Sequence, residues 1–234
     1  MLISTSISGY FTATQAAEAL GVSSHEVARL AREEKIKAKK VRNVLLIDAI
    51  DLQLYVTLHQ GKGRPFMSSV AWAALWILSG LDAEWLSYQQ RRRLKDKLQK
   101  ISACDLVWQA RNRSVTRRYR VSESFLKKLK SELILTGKSN DLFENTLTQQ
   151  DQMIEGYTDI DYEILEQKYH MVEDTNGNVI IHVVQDETSL INMVDSVPKA
   201  VAAADLALSL DTRERQAGLQ MLERLLSEYR SNRS

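Results

Sequence analysis

Hydrophobic positions in this chain begin at helical spacing, switch to strand-like alternation, and then return to helical spacing. Ala16, Ala17 and Leu20 share one helical face, and Thr12 with Gln15 places a hydroxyl and an amide at capping-box spacing before them. Gly21 supplies a left-handed stop. A second box, Ser23 with Glu26, opens a helix whose apolar face is Val27, Leu30 and Ala31. Two short helices joined through Gly21 and Val22 make a helix-turn-helix pattern. Residues 36–41 and 44–47 then read as strands around Arg42 and Asn43, a small β-wing with a cationic tip. Asp48 is positioned to cap a third helix to about His59, with Ile50, Leu54 and Leu58 on one face.

Gly61 to Pro65 reads as a hinge. The helix after it is apolar on most sides and carries Trp72 and Trp76, the pattern of a core element. Ser87 with Gln90 caps a helix resting on Leu94, Leu98 and Ile101; residues 105–112 continue as helix, and residues 116–121 alternate as a strand. Ser122 precedes a helix bearing Phe125, Leu126 and Leu129, and residues 133–136 form a short buried strand. Residues 145–152 are polar, a linker or exposed loop. A helix over 161–169 follows. Residues 171–174 and 179–184 flank Asn176-Gly177, a strong hairpin signal. Pro198 starts a further helix, and Asp211 with Glu214 caps the last. Both closing helices are amphipathic and need a partner surface; Leu219, Leu222 and Leu226 of the last are the candidate face of a homodimer. The expected fold is mainly α with small β-hairpins (α+β). Three domains are expected: 1–60, 61–144 and 145–234.

Charge sharpens this division. The formal net charge is +1, yet residues 1–140 hold 24 of the 31 Lys and Arg and 12 of the 30 Asp and Glu. A basic front and an acidic back suggest a polyanion-binding part and a second part with another task; the alternative is that the halves pack together and neutralise each other. One cysteine, Cys104, excludes an internal disulfide, and His25, His59, His170 and His182 lack metal-site spacing. No signal peptide or membrane-spanning segment is expected, and the expected location is cytoplasmic. Gly-rich phosphate loops, nucleophile elbows and paired nucleotidyltransferase carboxylates are missing from the sequence, so neither an enzyme nor a cofactor is expected.

The helix-turn-helix pattern makes Ser23, Ser24, His25, Arg29 and Arg32 the candidates for reading base edges, with Arg29 suited to guanine. Lys37, Lys39, Lys40, Arg42 and Asn43 would set the wing on phosphates or in the minor groove. Arg91, Arg92, Arg93, Arg111, Arg113, Arg117 and Arg118 form a candidate auxiliary basic surface, with Arg120 beside them; the alternative is an ordinary solvated face.

The stretch from Tyr10 through Leu20-Gly-Val-Ser23 to about Asp51 resembles the winged-helix module of excisionase-like and MerR-like DNA-binding proteins, with Glu34 where that module usually carries glycine. Further on come Gly63-Arg-Pro65, Trp72 with Trp76, Arg91 to Leu94, and Tyr119-Arg-Val121. Leu135-Thr-Gly137, Gly177-Asn-Val179 and Asp211 to Gly218 follow. With the N-terminal module, these pieces resemble the antitoxin partners of AbiE-like nucleotidyltransferase toxins. That resemblance implies a bacterial antitoxin and autorepressor whose partners are operator DNA and a toxin. Glu155, Asp159, Asp161, Glu163 and Glu166, the densest acidic cluster, are the candidate toxin contacts. The alternatives are an excisionase-like DNA-bending factor and a stand-alone transcriptional regulator.

Overall fold

The computed structural model describes residues 9–33, 35–58, 64–139, 153–174, 176–184, 196–209 and 211–232. It is a mixed α+β molecule in two compact units, Met1–Gln60 and Gly61–Ser234.

The first unit contains β1 (Tyr10–Thr12), α1 (Ala13–Leu20), α2 (Ser24–Arg32), β2 (Ala38–Val41), β3 (Val44–Asp48) and α3 (Ala49–Leu58). Local chemistry sets its boundaries. Thr12 and Gln15 close a reciprocal capping box, and Gly21 ends α1 at φ 67°. Ser23 caps α2, but Glu26 does not reciprocate as a capping box requires, because its carboxylate turns to Arg29. The antiparallel strands lie in the order β1-β3-β2. Phe11, Ala16, Val27, Leu30, Ile36, Ile47, Leu52 and Tyr55 form the core. The side chain of Asp48 accepts from the Asp51 amide at 2.8 Å, and that of Asp51 accepts from the Lys37 amide at 2.5 Å, tying β2 to α3. His59 and the side chains of Ile50, Leu54 and Leu58 lie outside the described residues.

The second unit is layered. Its sheet runs β5-β6-β8-β4-β7, from β4 (Val115–Arg120), β5 (Ile134–Leu135), β6 (Ile154–Thr158), β7 (Val172–Glu173) and β8 (Val179–Val183). The β6–β8 pair is parallel and the others antiparallel. Tyr119, Ile154, Val179, Ile181 and Val183 on one face pack with α7 (Glu123–Lys130) and α8 (Tyr162–Tyr169). Tyr157 on the other face meets Trp72 of α4 (Ser68–Leu78), ring centroids 5.2 Å apart. Residues 71–78 of α4 and 200–207 of α9 (Lys199–Ala207) are all buried, which explains why α4 is apolar around its circumference. α5 (Tyr88–Leu98), α6 (Ala103–Ala110) and α10 (Thr212–Ser231) complete the helical layer.

Three expectations are corrected here. Residues 61–144 and 145–234 are not separate domains, since β4 and β5 from one side pair with β8 and β6 from the other. The residues flanking Asn176-Gly177 do not form a hairpin with each other, because β4 lies between β7 and β8. The turn instead seats on β4: Asn178 exchanges two 2.9 Å bonds with the Val121 backbone, and a Cβ on Gly177 would fall 2.1 Å from the Tyr119 carbonyl oxygen. The leucine face of α10 is not free for a dimer, because Leu222 and Leu226 are fully buried within the unit. Gly218 allows the close approach of α9 and α10; a Cβ there would lie 2.4 Å from the Ala207 nitrogen. The small hairpins expected of the fold give way, beyond residue 60, to one mixed sheet. The polar segment 145–152 lies outside the described residues.

Candidate nucleic-acid interface and a buried polar network

In the first unit, β2 and β3 project a cationic hairpin. Lys37, Lys39, Lys40, Arg42 and Asn43 are all exposed. Arg42 turns the chain at φ 54°, and Val41 pairs with Val44 across the tip, the two 48% and 49% exposed. Lys39 Nζ lies 3.8 Å from the centre of the Tyr10 ring. No carboxylate among the described residues forms an ion pair with the side chain of Lys37, Lys40 or Arg42.

On α2, Ser23, Ser24, His25 and Arg32 are exposed. Arg29 is differently placed. Its Nε donates to Glu26 at 2.8 Å and its Nη1 to Glu33 at 2.6 Å. Hydrogen bonding to these carboxylates raises the guanidinium pKa; Arg29 in turn lowers that of Glu26, while Glu33 is lowered first by Lys35 and then by Arg29. To contact a base, Arg29 must leave both partners. Solvent screens such exposed pairs, so the exchange is cheap.

The expected auxiliary basic surface separates into two groups. Arg91, Arg92 and Arg93 stay on the solvent side of α5, Arg91 partly covered. The others find partners within the unit, Arg117 and Arg120 while still exposed. Arg111 covers the Trp108 ring at 3.7 Å. Arg117 lies over Tyr162 at 4.4 Å and 3.6 Å from Glu166. Arg118 donates to the Gly177 carbonyl at 2.9 Å, and Arg120 pairs with Asp174 at 2.7 Å.

Arg113 is the clearest correction: its side chain is 2% exposed, and it pairs with Asp205 of α9, whose side chain is 0% exposed. A buried guanidinium needs such a partner and full hydrogen bonding. Its Nε donates to the Tyr157 hydroxyl at 3.1 Å and its Nη1 to the Ala110 carbonyl at 3.0 Å. Tyr157 donates to Asp205 Oδ1 at 2.9 Å, and Thr136 donates to Oδ2 at 2.5 Å. Burial raises the Tyr157 pKa and keeps its hydroxyl a donor. Alongside, His182 stacks on Tyr157 at 4.7 Å and joins Thr116 at 2.8 Å and Glu155 at 3.0 Å.

Glu155, His182 and Asp205 offer ligand atoms within 4.8 Å of one another, the metal-like spacing found among the described residues. Both Asp205 oxygens and both His182 nitrogens already have protein partners, so the arrangement works as a hydrogen-bonded clasp between sheet and helices. Residue patterning along the chain does not reveal this clasp. Its one legible trace was Asp205, the lone carboxylate in the otherwise apolar stretch 200–207.

The acidic cluster divides in the same way. Glu155 is buried beside His182, and Glu166 accepts from the Tyr119 hydroxyl at 2.6 Å, so neither is an open contact. Asp159, Asp161 and Glu163 are exposed around the start of α8. Arg113–Asp205, Arg117–Glu166 and Arg120–Asp174 join the basic front to the acidic back, so mutual neutralisation operates within the second unit. Among the described residues, no helix is long and apolar enough to cross a membrane. No protein-family model, curated protein or solved structure matches the chain.

Proposed function

We propose that this chain is a DNA-binding antitoxin that represses its own operator. Residues 1–60 act as a winged helix on duplex DNA, and residues 61–234 neutralise a nucleotidyltransferase-type toxin. The observation that carries the DNA half is the hairpin of Lys37, Lys40 and Arg42, whose exposed side chains form no ion pair with a carboxylate among the described residues. Cations held ready in this way suit a phosphate backbone, and α2 supplies Ser24, His25 and Arg29 for base edges. The toxin half is supported by the sequence resemblance and by the exposed carboxylates Asp159, Asp161 and Glu163. Their charge is opposite to that expected of a tRNA-handling groove.

Fluorescence anisotropy with DNA from upstream of the gene tests the first half. Affinity is expected to fall by about 0.9 log unit per log unit of salt for each phosphate neutralised. Lys40→Ala should weaken all sequences alike, while Arg29→Ala should cost about 1–3 kcal/mol and relax one base position. Salt-independent binding overturns this reading. Co-expression and pull-down with a nucleotidyltransferase encoded beside the gene tests the second half. Replacing Asp159 and Asp161 by Asn and Glu163 by Gln should weaken capture and leave operator binding intact; unchanged capture removes those residues from the contact.

A further inference from the structure

We propose that α5 is a binding surface for single-stranded nucleic acid, with Tyr88 stacking on a base and Arg92, Arg93 and Lys100 engaging phosphates. The helix lies wholly within the second unit, and the proposal does not depend on the operator reading.

The helix has a dry side and a charged side. Leu94 and Leu98 are buried, while Gln89, Arg92, Arg93 and, just beyond the helix, Lys100 are exposed. Lys97 is exposed too, though its Nζ lies 4.4 Å from the Phe66 ring centre and desolvation lowers its pKa. Among the described residues, no ion pair or hydrogen bond engages the side chains of Arg91, Arg92, Arg93, Lys95 or Lys100. This sets α5 apart from the arginines of residues 111–120, which all find partners inside the unit. The only carboxylate of α5 is Asp96.

Such a helix carries a cost. Arg91 with Lys95 and Arg93 with Lys97 are like charges at i,i+4 spacing, which destabilise a helix by a few tenths of a kcal/mol per pair. The Ser87–Gln90 capping box secures the start of the helix against that repulsion. Phosphates laid along the charged side would relieve it. Tyr88 decides which polyanion fits best. It is 72% exposed at the first position of α5 and lies one turn from Arg92. A duplex offers phosphates but keeps its base faces stacked; an unpaired strand offers both, and stacking on an aromatic ring tolerates any base.

The test uses the full-length protein and a labelled oligothymidylate of roughly 15 nucleotides, long enough to cover such a site. Anisotropy should show binding that weakens as salt rises. Tyr88→Ala should weaken it about tenfold, while Tyr88→Phe should retain it, because stacking requires the ring and not the hydroxyl. Combined Arg92→Glu and Arg93→Glu should weaken it more than about tenfold and flatten its salt dependence. Thermal melting should show the Tyr88 variants folded as the parent chain is. Three results overturn the proposal: no binding to the oligomer at low salt, Tyr88→Ala binding as tightly as the parent, or loss of oligomer binding in Lys40→Ala with Arg42→Ala, which would place it on the hairpin. Failure of operator binding alone leaves the proposal standing.

Discussion

Arg42 and Arg113 carry the same charge, and the fold puts them to opposite uses. Arg42 stands at the tip of a hairpin with no carboxylate partner among the described residues, whereas Arg113 is sealed against Asp205, Tyr157 and the Ala110 carbonyl. The first unit keeps its cations outward at little cost in stability. The second spends several of its cations on holding sheet to helices. A count of basic residues treats them alike, while their burial and partners separate a ligand-facing charge from a structural one.

The largest expected effect tests the structural side of this contrast. Arg113→Met leaves the Asp205 carboxylate buried and unpaired, and should cost about 3–5 kcal/mol in urea unfolding. Adding Asp205→Leu should recover part of that loss, because two apolar groups no longer strand a charge. Arg42→Ala should leave stability within about 0.5 kcal/mol. If Arg113→Met unfolds like the parent chain, the contrast fails.

A smaller effect is expected where α9 meets α10. Gly218→Ala pushes a Cβ against the backbone of Ala203 and Ala207, and should destabilise the second unit by about 1–3 kcal/mol. Calorimetry should show the loss in that unit's transition.

Alkali should sharpen the comparison further. Burial pushes the Tyr162 hydroxyl up to about 12 from an ordinary 10.0, and burial likewise raises Tyr157 and Tyr119. The folded state therefore holds these protons after the unfolded chain has lost them. Their contribution is complete below pH 10 and disappears as pH rises through the folded value, near 12 for Tyr162. Tyr162→Phe should shallow the alkaline loss of stability, which phenolate absorbance and melting temperature can follow together. All three tyrosines belong to the second unit, so its transition should carry the effect.

The smallest effect concerns Arg29. Its pairs with Glu26 and Glu33 are exposed and screened by solvent, so Arg29→Ala should change stability little. Glu33→Gln should modestly tighten DNA binding by releasing Arg29 and removing a negative charge. Weaker binding by that variant would count against α2 as the reading helix.

Local chemistry was largely legible in the sequence. The Thr12–Gln15 and Ser87–Gln90 boxes, the Gly21 stop and the alternation that became β4 all register over a few residues, and the structure forms them where the pattern points. Sheet partners were not legible, because β6, β8 and β4 come from distant segments and no turn connects them directly. Asn176-Gly177 carried a hairpin signal that tertiary packing overrode. Arg113 looked like its neighbours Arg111 and Arg117, since only the approach of α9 marks it as internal. Asp159, Asp161 and Glu163 kept their expected exposure, while Glu155 and Glu166 were drawn into contacts made by other strands.

The interior position of β4 also sets a timetable for synthesis. Its partners β7 and β8 are translated roughly 50–60 residues after it, a delay of several seconds at about 5–20 residues per second. Until they arrive, β4 has two unpaired edges. A chain that stalls in this interval presents an unfinished sheet to cellular proteases. The sheet cannot close before Val183 has been made, and Arg113 has no buried carboxylate to pair with until Asp205 of α9 follows.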